Sequence, residues 1–133
     1  MFPENSNKIW ISEGDPTGIS PEILIKSIPK IKNILRKKTV VFVQSQTSIK
    51  INSIPLITNH KEIQGLKKGI YTFLNENLIN NKLKPGKPSI HSGKISFLSL
   101  SKTIELQKTF GGNIITLPLS KEWVIKSGIK TFK

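Results

Sequence analysis

Runs of apolar residues along the chain predict three β-strands. Residues 39–43 form a continuous run of β-branched and aromatic side chains, which is typical of a strand buried on both faces of a sheet. Shorter apolar runs occur at residues 8–12 and 113–117. We expect the segments 9–12, 40–43 and 114–117 to lie in one sheet and to run largely parallel, with helices packed on it.

The first predicted helix follows the first strand and begins with good terminal signals. Ser20 is expected to be the N-cap, with Pro21 at the first helical position and Glu22 in the first turn. Pro29 interrupts the pattern, so a kink or two short helices are expected. Apolar residues at helical spacing predict the buried face: Leu24, Ile28, Ile31 and Leu35.

Two further helices are predicted in the second half of the chain. A long helix is expected to begin near Ser92 and to end at Gly111 and Gly112. Its apolar face is predicted to consist of Phe97, Leu100 and Ile104. Residues 121–126 predict a short helix that ends before Gly128.

The middle of the chain gives weaker signals. Short strands are expected at residues 54–57 and 69–74, and a loop at residues 83–88. Strands that alternate with helices favour an α/β fold, with a mainly parallel sheet flanked by helices. The length of 133 residues corresponds to one domain, or to a piece of a larger one.

The net charge of +13 has two alternative explanations. A basic protein can bind nucleic acid. The composition favours a codon bias instead, since isoleucine, lysine and asparagine supply 52 residues, while arginine occurs once and alanine never. The lysines are also scattered, and their densest run, residues 30–38, lies on a helix that has an apolar stripe. Nucleic acid is therefore not the expected partner.

Several classes of protein are disfavoured. No cysteine is present, so disulfides and thiolate metal sites are excluded. No apolar run approaches the ~20 residues of a membrane span, and the first residues lack the layout of a signal peptide. A cytoplasmic location and no membrane partner are expected.

Three stretches carry a more specific signal. The first is Gly-Asp-Pro-Thr-Gly-Ile-Ser-Pro-Glu-Ile at residues 14–23, and the second is Pro-Gly-Lys-Pro-Ser-Ile-His-Ser-Gly-Lys at residues 85–94. The third is Ile-Thr-Leu-Pro-Leu-Ser-Lys-Glu at residues 115–122, followed by Ser-Gly-Ile at residues 127–129. In this order and spacing they resemble the N-terminal part of the 4-hydroxythreonine-4-phosphate dehydrogenase family. We call them the first, second and third motif segments.

The chain also departs from the family pattern. Thr17 and Leu117 stand where the family has alanine, and Ser20 stands where it has glycine. In the family, a Gly-His-Thr-Glu stretch that holds substrate follows the third motif segment, and three metal-binding histidines lie further along. Residues 1–133 are therefore expected to be the N-terminal part of a two-domain dehydrogenase, without assignable catalytic or metal-binding residues.

The resemblance implies a fold and an activity. The fold is part of an isocitrate/isopropylmalate dehydrogenase-like architecture. The activity is the NAD-dependent oxidation of 4-phosphooxy-L-threonine, with decarboxylation to 3-amino-2-oxopropyl phosphate, in vitamin B6 synthesis. A divalent metal (zinc, magnesium or cobalt) assists, and the enzymes are homodimers. Two alternatives stay open for this chain: an inactive remnant or split-gene fragment, and a basic nucleic-acid-binding module.

Six residues are candidates for binding cofactor or substrate. Four lie in the first motif segment, in a loop that leads from a strand into a helix: Gly14, Asp15, Pro16 and Gly18. Asp15 can either cap this loop or face the cleft. His91 lies in the second segment. Lys121 follows the end of a strand, where ligands bind in open α/β sheets, and could meet a phosphate. The other histidine, His60, is expected at the surface.

Overall fold

The structure, a computed structural model, describes residues 7–45, 54–75 and 86–128. Within these ranges, strands and helices alternate along the chain. The strands are β1 (Lys8–Ser12), β2 (Thr39–Ser45), β3 (Leu56–Ile57), β4 (Gly69–Asn75) and β5 (Asn113–Thr116). The helices are α1 (Ser20–Ile34), α2 (His60–Gln64), α3 (Ile90–Phe110) and α4 (Lys121–Lys126).

The strands form one five-stranded sheet in the order β3-β4-β2-β1-β5. Every pairing in it is parallel. β1 lies between β2 and β5, with Trp10 beside Val41 on one side and Ile114 on the other. The predicted parallel sheet of the three apolar segments is therefore confirmed, and all strands point their carboxyl ends to one edge.

Helices cover both faces of this sheet, and the alternation along β1 shows which side chains each face buries. Ile11 packs with Leu24 and Ile28 of α1. Trp10 points the opposite way, into a cluster that includes Leu106 of α3. The Trp10 indole nitrogen also donates to the Gly111 carbonyl at 2.8 Å, which satisfies the polar atom of a fully buried ring.

The start of α1 differs from the prediction. Ile19 is the N-cap, without a side-chain cap hydrogen bond, and Ser20 is already the first helical residue. The helix continues through Pro29 to Ile34 instead of dividing into two. Pro29 is exposed, as is Ile25 one turn earlier, so water can satisfy the carbonyl that a proline cannot bond.

The predicted apolar face of α3 is wrong. Ile104 is 38% exposed, and Phe97 and Leu100 are only half-buried. The side chains that α3 buries are mostly small: Ser92, Gly93, Ile95, Ser96, Ser99, Thr103 and Leu106. Small residues let the helix axis approach β1 and α4 closely, so the larger apolar side chains are displaced to its flanks.

The middle of the chain contains one element that the sequence pattern does not predict. The strand at residues 54–57 reduces to Leu56–Ile57, and α2 follows it, capped by the Asn59 side chain. His60 is not a surface residue as predicted. It is half-buried, with its ring 5.9 Å from that of Phe73. The predicted loop 83–88 lies partly outside the described residues.

In the described part of the chain, no helix combines the length and the apolar composition needed to cross a lipid bilayer.

Candidate functional site

The three motif segments meet at the carboxyl-terminal edge of the sheet. The first segment follows β1, and the third includes the end of β5 and the turn into α4. Because β1 and β5 are parallel neighbours, the loops that follow them leave the sheet side by side. The amide of Leu117 donates to the Ser12 carbonyl at 3.1 Å, which extends the pairing into these loops.

Asp15 holds the first segment in its conformation. Its Oδ1 accepts hydrogen bonds from the Thr17 amide at 2.8 Å and from the Thr17 hydroxyl at 2.6 Å. Such a turn, closed by an aspartate side chain, fixes the backbone two residues further on. The Thr17 hydroxyl thus adds a second bond to the one that the Thr17 amide makes.

Asp15 also joins the first segment to the other two. The Ser92 hydroxyl donates to Asp15 Oδ2 at 3.3 Å, which links the loop to the first turn of α3. The Asp15 amide donates to the Pro118 carbonyl at 2.9 Å in the third segment. A residue that is only 7% exposed thus connects all three motif segments.

The second segment is fixed by its own cap and by the first segment. Ser89 and Ser92 form a capping box at the start of α3, in which each side chain accepts from the backbone amide of the other. The Gly86 amide donates to the Thr17 carbonyl at 2.7 Å. The loop that precedes α3 therefore lies against the first motif segment.

The third segment is held by α4. Ser120 is the N-cap of this helix, and its side chain accepts from the Trp123 amide. Gly93 of α3 lies so close to α4 that a Cβ atom at this position would overlap the Trp123 carbonyl. Glycine is therefore required there for the helices to touch, and their contact positions the turn at Pro118–Ser120.

A pocket of about 300 Å³ opens between the three segments. Its walls are largely apolar, and the buried Asp15 is one of the residues that line it. Residues from every motif segment line it: Asp15, Thr17, Gly18, Ile19, Gly86, Pro88, Pro118, Leu119 and Ser120. We call this space the motif pocket.

The candidate residues do not all reach the motif pocket. Asp15 and Gly18 line it, and Gly14 and Pro16 belong to the same loop. Lys121 and His91 are exposed and are not among the lining residues. Lys121 directly follows the lining residue Ser120, so it lies at the same edge of the sheet as Asp15.

Sequence reasoning missed a second buried carboxylate at this edge. Glu13 is 5% exposed, and its Oε2 accepts from the Ser99 hydroxyl of α3 at 2.7 Å. The Glu13 amide donates to the Val43 carbonyl of β2 at 3.1 Å. The sequence offers one signal for this site, which is a glutamate directly after a predicted strand. Its serine partner, far along the chain, carries no pattern of its own.

The acidic residues that the structure describes do not form a metal site. Across residues 7–45, 54–75 and 86–128, no three or more histidine, aspartate and glutamate side chains come together. A divalent metal held by protein ligands needs about three such donors. The described residues therefore do not fit the metal that the family resemblance implies.

The structure is an open parallel sheet with helices on both faces, which defines an α/β protein. Its pocket lies at the carboxyl ends of the strands, where sheets of this kind bind ligands. Its architecture is part of the isocitrate/isopropylmalate dehydrogenase-like fold, which solved structures share.

Comparison with known proteins specifies the family. The chain is 34% identical over 131 residues to a Sulfurihydrogenibium protein named 4-hydroxythreonine-4-phosphate dehydrogenase. The matched region covers 91% of this chain and 38% of that relative. A Fusobacterium nucleatum protein, provisionally named D-threonate 4-phosphate dehydrogenase, is 31% identical over 130 residues, or 86% of this chain and 37% of the relative. No protein-family model matches the chain.

A solved structure agrees. The 4-hydroxythreonine-4-phosphate dehydrogenase of Klebsiella pneumoniae superposes with a TM-score of 0.68 at 25% identity, over 92% of this chain and 40% of that one. The resemblance inferred from the motif segments is confirmed: the chain is similar over most of its length to proteins of the 4-hydroxythreonine-4-phosphate dehydrogenase family. It spans about two-fifths of the length of the relatives it matches.

Proposed function

We propose that this chain is the N-terminal part of an oxidoreductase that converts 4-phosphooxy-L-threonine to 3-amino-2-oxopropyl phosphate, with NAD as hydride acceptor, in vitamin B6 synthesis. One observation carries this proposal. The motif segments that underlie the resemblance are far apart in sequence, yet together they line a single pocket at the edge where open α/β sheets bind ligands.

The residues of this chain would contribute shape and position to such a reaction. Ile19, Pro118 and Leu119 supply apolar walls against which a bound substrate can pack. Asp15 keeps the three segments in register through its hydrogen bonds. Lys121, exposed at the rim, can approach a phosphate group as a point charge. NAD, when bound, accepts the hydride.

A divalent metal belongs to the proposed reaction through the family resemblance, which places its ligands further along the family's sequence. The described residues hold no suitable donor set for this metal. We predict that the chain alone gives no stoichiometric zinc, cobalt or magnesium site in isothermal titration, and no NADH with substrate. A micromolar metal site with turnover would contradict this.

A second candidate substrate is D-threonate 4-phosphate. The observation that favours it is the 31% identity to the Fusobacterium protein provisionally named for that compound. Both compounds are four-carbon acids with a terminal phosphate, and they differ at carbon 2, which carries an amino group in one and a hydroxyl in the other. The motif pocket does not distinguish them by shape alone, so the two substrates must be compared directly.

The resemblance also supports a homodimer, in which the partner subunit completes the active site. An inactive remnant or split-gene product is the alternative for the chain on its own. Sedimentation of the purified chain tests whether it forms a dimer. The activity measurement below tests whether it is an inactive product.

The reaction is tested with a chimera in which this chain replaces the aligned N-terminal residues of the Sulfurihydrogenibium relative. We expect NADH formation with 4-phosphooxy-L-threonine to exceed that with D-threonate 4-phosphate. Lys121→Gln should raise KM for the phosphorylated substrate about tenfold, the effect of losing one charge-assisted contact. Lys126→Gln, in the same helix, is the control. A folded chimera that turns over neither substrate would contradict the proposal.

A further inference from the structure

A second pocket lies at the opposite edge of the sheet, where the strands begin. It has a volume of about 240 Å³ and is formed by the end of α1, the start of β4 and Ile54. Gly69, the first residue of β4, pairs with Thr39, the first residue of β2. This pocket, which we call the basic pocket, shares no lining residue with the motif pocket.

The floor of the basic pocket is apolar and continuous with the protein core. Ile31, Leu35, Ile54 and Ile70 line it, and all four belong to or pack against the core cluster on the α1 face. Ile54 is only 8% exposed. The floor is therefore held by the same packing that joins α1 to the sheet, and it presents a preformed apolar surface.

The rim of the basic pocket is cationic. Lys32 and Arg36 come from α1 and the turn after it, and Lys68 comes from the segment that leads into β4. All three side chains are exposed, and no acidic residue lines the pocket. The ion pairs found among the described residues involve other lysines.

Arg36 distinguishes this rim from the other basic surfaces of the molecule. It is the only arginine in a chain that has 21 basic residues. A guanidinium presents a planar fork of donors, which binds a phosphate or carboxylate through two hydrogen bonds, whereas a lysine offers a point charge. The rim thus combines one directional anion-binding group with two additional charges.

Solvated lysines are the simpler explanation for cations on a basic protein. A cation in the last turn of α1 is favoured by the helix dipole, which accounts for Lys32. The dipole does not account for Lys68, which approaches from a different segment. It also does not account for an apolar depression between these charges.

We propose that the basic pocket binds a small organic anion, whose phosphate or carboxylate group is held by Arg36, Lys32 and Lys68 while a short apolar chain lies on the isoleucine and leucine floor. At ~30 Å³ per water molecule, the volume corresponds to about eight waters, which suits a ligand of roughly ten non-hydrogen atoms. This proposal does not depend on the proposed dehydrogenase function.

The test uses the full chain labelled with ¹⁵N, titrated with hexyl phosphate, butyl phosphate, hexanoate and inorganic phosphate. Hexyl phosphate should produce saturable amide shifts confined to residues 31–36, 54 and 68–70, with a Kd on the order of 1 mM. Each buried methylene tightens binding roughly fourfold, so butyl phosphate, which is two methylenes shorter, should bind about fifteenfold more weakly. Comparison with hexanoate shows whether phosphate or carboxylate is the preferred group.

Variants separate this site from general attraction to a basic protein. Arg36→Gln and Lys68→Gln should each weaken hexyl phosphate binding about tenfold. Lys30→Gln, an exposed lysine of the same helix outside the pocket, should leave it unchanged. Circular dichroism confirms that the variants are folded. Equal weakening by Lys30→Gln, or inorganic phosphate as tight as hexyl phosphate, would overturn the proposal.

A nucleic-acid surface would give a different result. A single-stranded oligonucleotide would then bind more tightly than hexyl phosphate, with a steep dependence on salt and with shifts spread over the lysines of the whole molecule. That outcome would also overturn the proposal.

Discussion

The two pockets at opposite edges of the sheet are built from different interactions. The motif pocket is held by buried hydrogen bonds that join three distant segments, with Asp15 bonded to Thr17, Ser92 and Pro118. The basic pocket has a floor of ordinary core side chains and a rim of exposed cations. Directional bonds tolerate few residue types, whereas apolar packing tolerates many.

This difference predicts how each edge responds to substitution. Changes in the bonded network or in the close contact between α3 and α4 should destabilise the protein strongly. Substitution of the rim cations Arg36 and Lys68 should leave stability within ~0.5 kcal/mol of the original, as is usual for surface positions.

The largest effect is expected for Gly93→Ala. The new Cβ would overlap the backbone of Trp123 and force α4 away from α3. We expect a loss of about 2–3 kcal/mol in the free energy of unfolding, measured with urea, even after the gain in helix propensity. Gly65→Ala is the control, since nothing lies within 4 Å of a Cβ there. Equal stability of the two variants would show that the helix contact is looser than described.

The next largest loss of unfolding free energy is expected for Asp15→Ala. It removes the acceptor for the Thr17 amide and hydroxyl and for the Ser92 hydroxyl. The Thr17 amide and hydroxyl lose their partner, whereas the Ser92 hydroxyl keeps the Ser89 carbonyl at 3.0 Å. We expect a loss of about 2–3 kcal/mol in unfolding free energy. Thr17→Val removes only one of these bonds and should cost about 1 kcal/mol. The proposed role of Asp15 fails if its substitution is no more destabilising than that of Thr17.

Ser99→Ala tests how much the buried Glu13 carboxylate contributes to stability through its bond to Ser99. The substitution removes the 2.7 Å hydrogen bond to Glu13, which we expect to lower the unfolding free energy by about 1–2 kcal/mol. Ser101→Ala, at an exposed position of the same helix, provides the comparison. Identical denaturation curves for the two variants would mean that this bond contributes little.

The smallest effect is expected at the surface pair Glu22 and Lys26. The hydrogen bond from Lys26 at 2.8 Å lowers the pKa of Glu22 below its ordinary value of 4.5. A lowered carboxyl pKa gives stability that is present above the unfolded value and is lost as pH falls through the folded value.

Lys26→Gln should therefore raise the Glu22 pKa toward 4.5 in an NMR titration and should remove a slight stabilisation at neutral pH. Because the pair is exposed, its contribution is small and declines with added salt. An unchanged Glu22 pKa in this variant would show that the ion pair is not formed in solution.

The same contrast explains how much of the molecule could be predicted from sequence. The parallel sheet was predictable, because β2 is a continuous apolar run and helical periodicity follows β1. The convergence of the motif segments was predictable too, since β1 and β5 are parallel and their loops leave by one edge. These inferences rest on patterns that are local or on rules of topology.

What could not be predicted depends on contacts between distant residues. The helix α2 has only five residues, too few for a periodic pattern. The burial of Ser92 and Ser99 follows from the close approach of α3 to β1 and α4, which favours small side chains over the larger Phe97 and Ile104. His60 is half-buried because Phe73 and Phe110, both distant in sequence, flank its ring.

The central claim is that the three motif segments form one ligand site. It is tested most directly by titrating the ¹⁵N-labelled chain with 4-phosphooxy-L-threonine, with and without NAD, and mapping the amide shifts. We expect saturable shifts in all three groups, residues 14–19, 86–91 and 119–123, and their loss in Asp15→Ala. Shifts confined to one segment, or centred on the basic pocket, would contradict it.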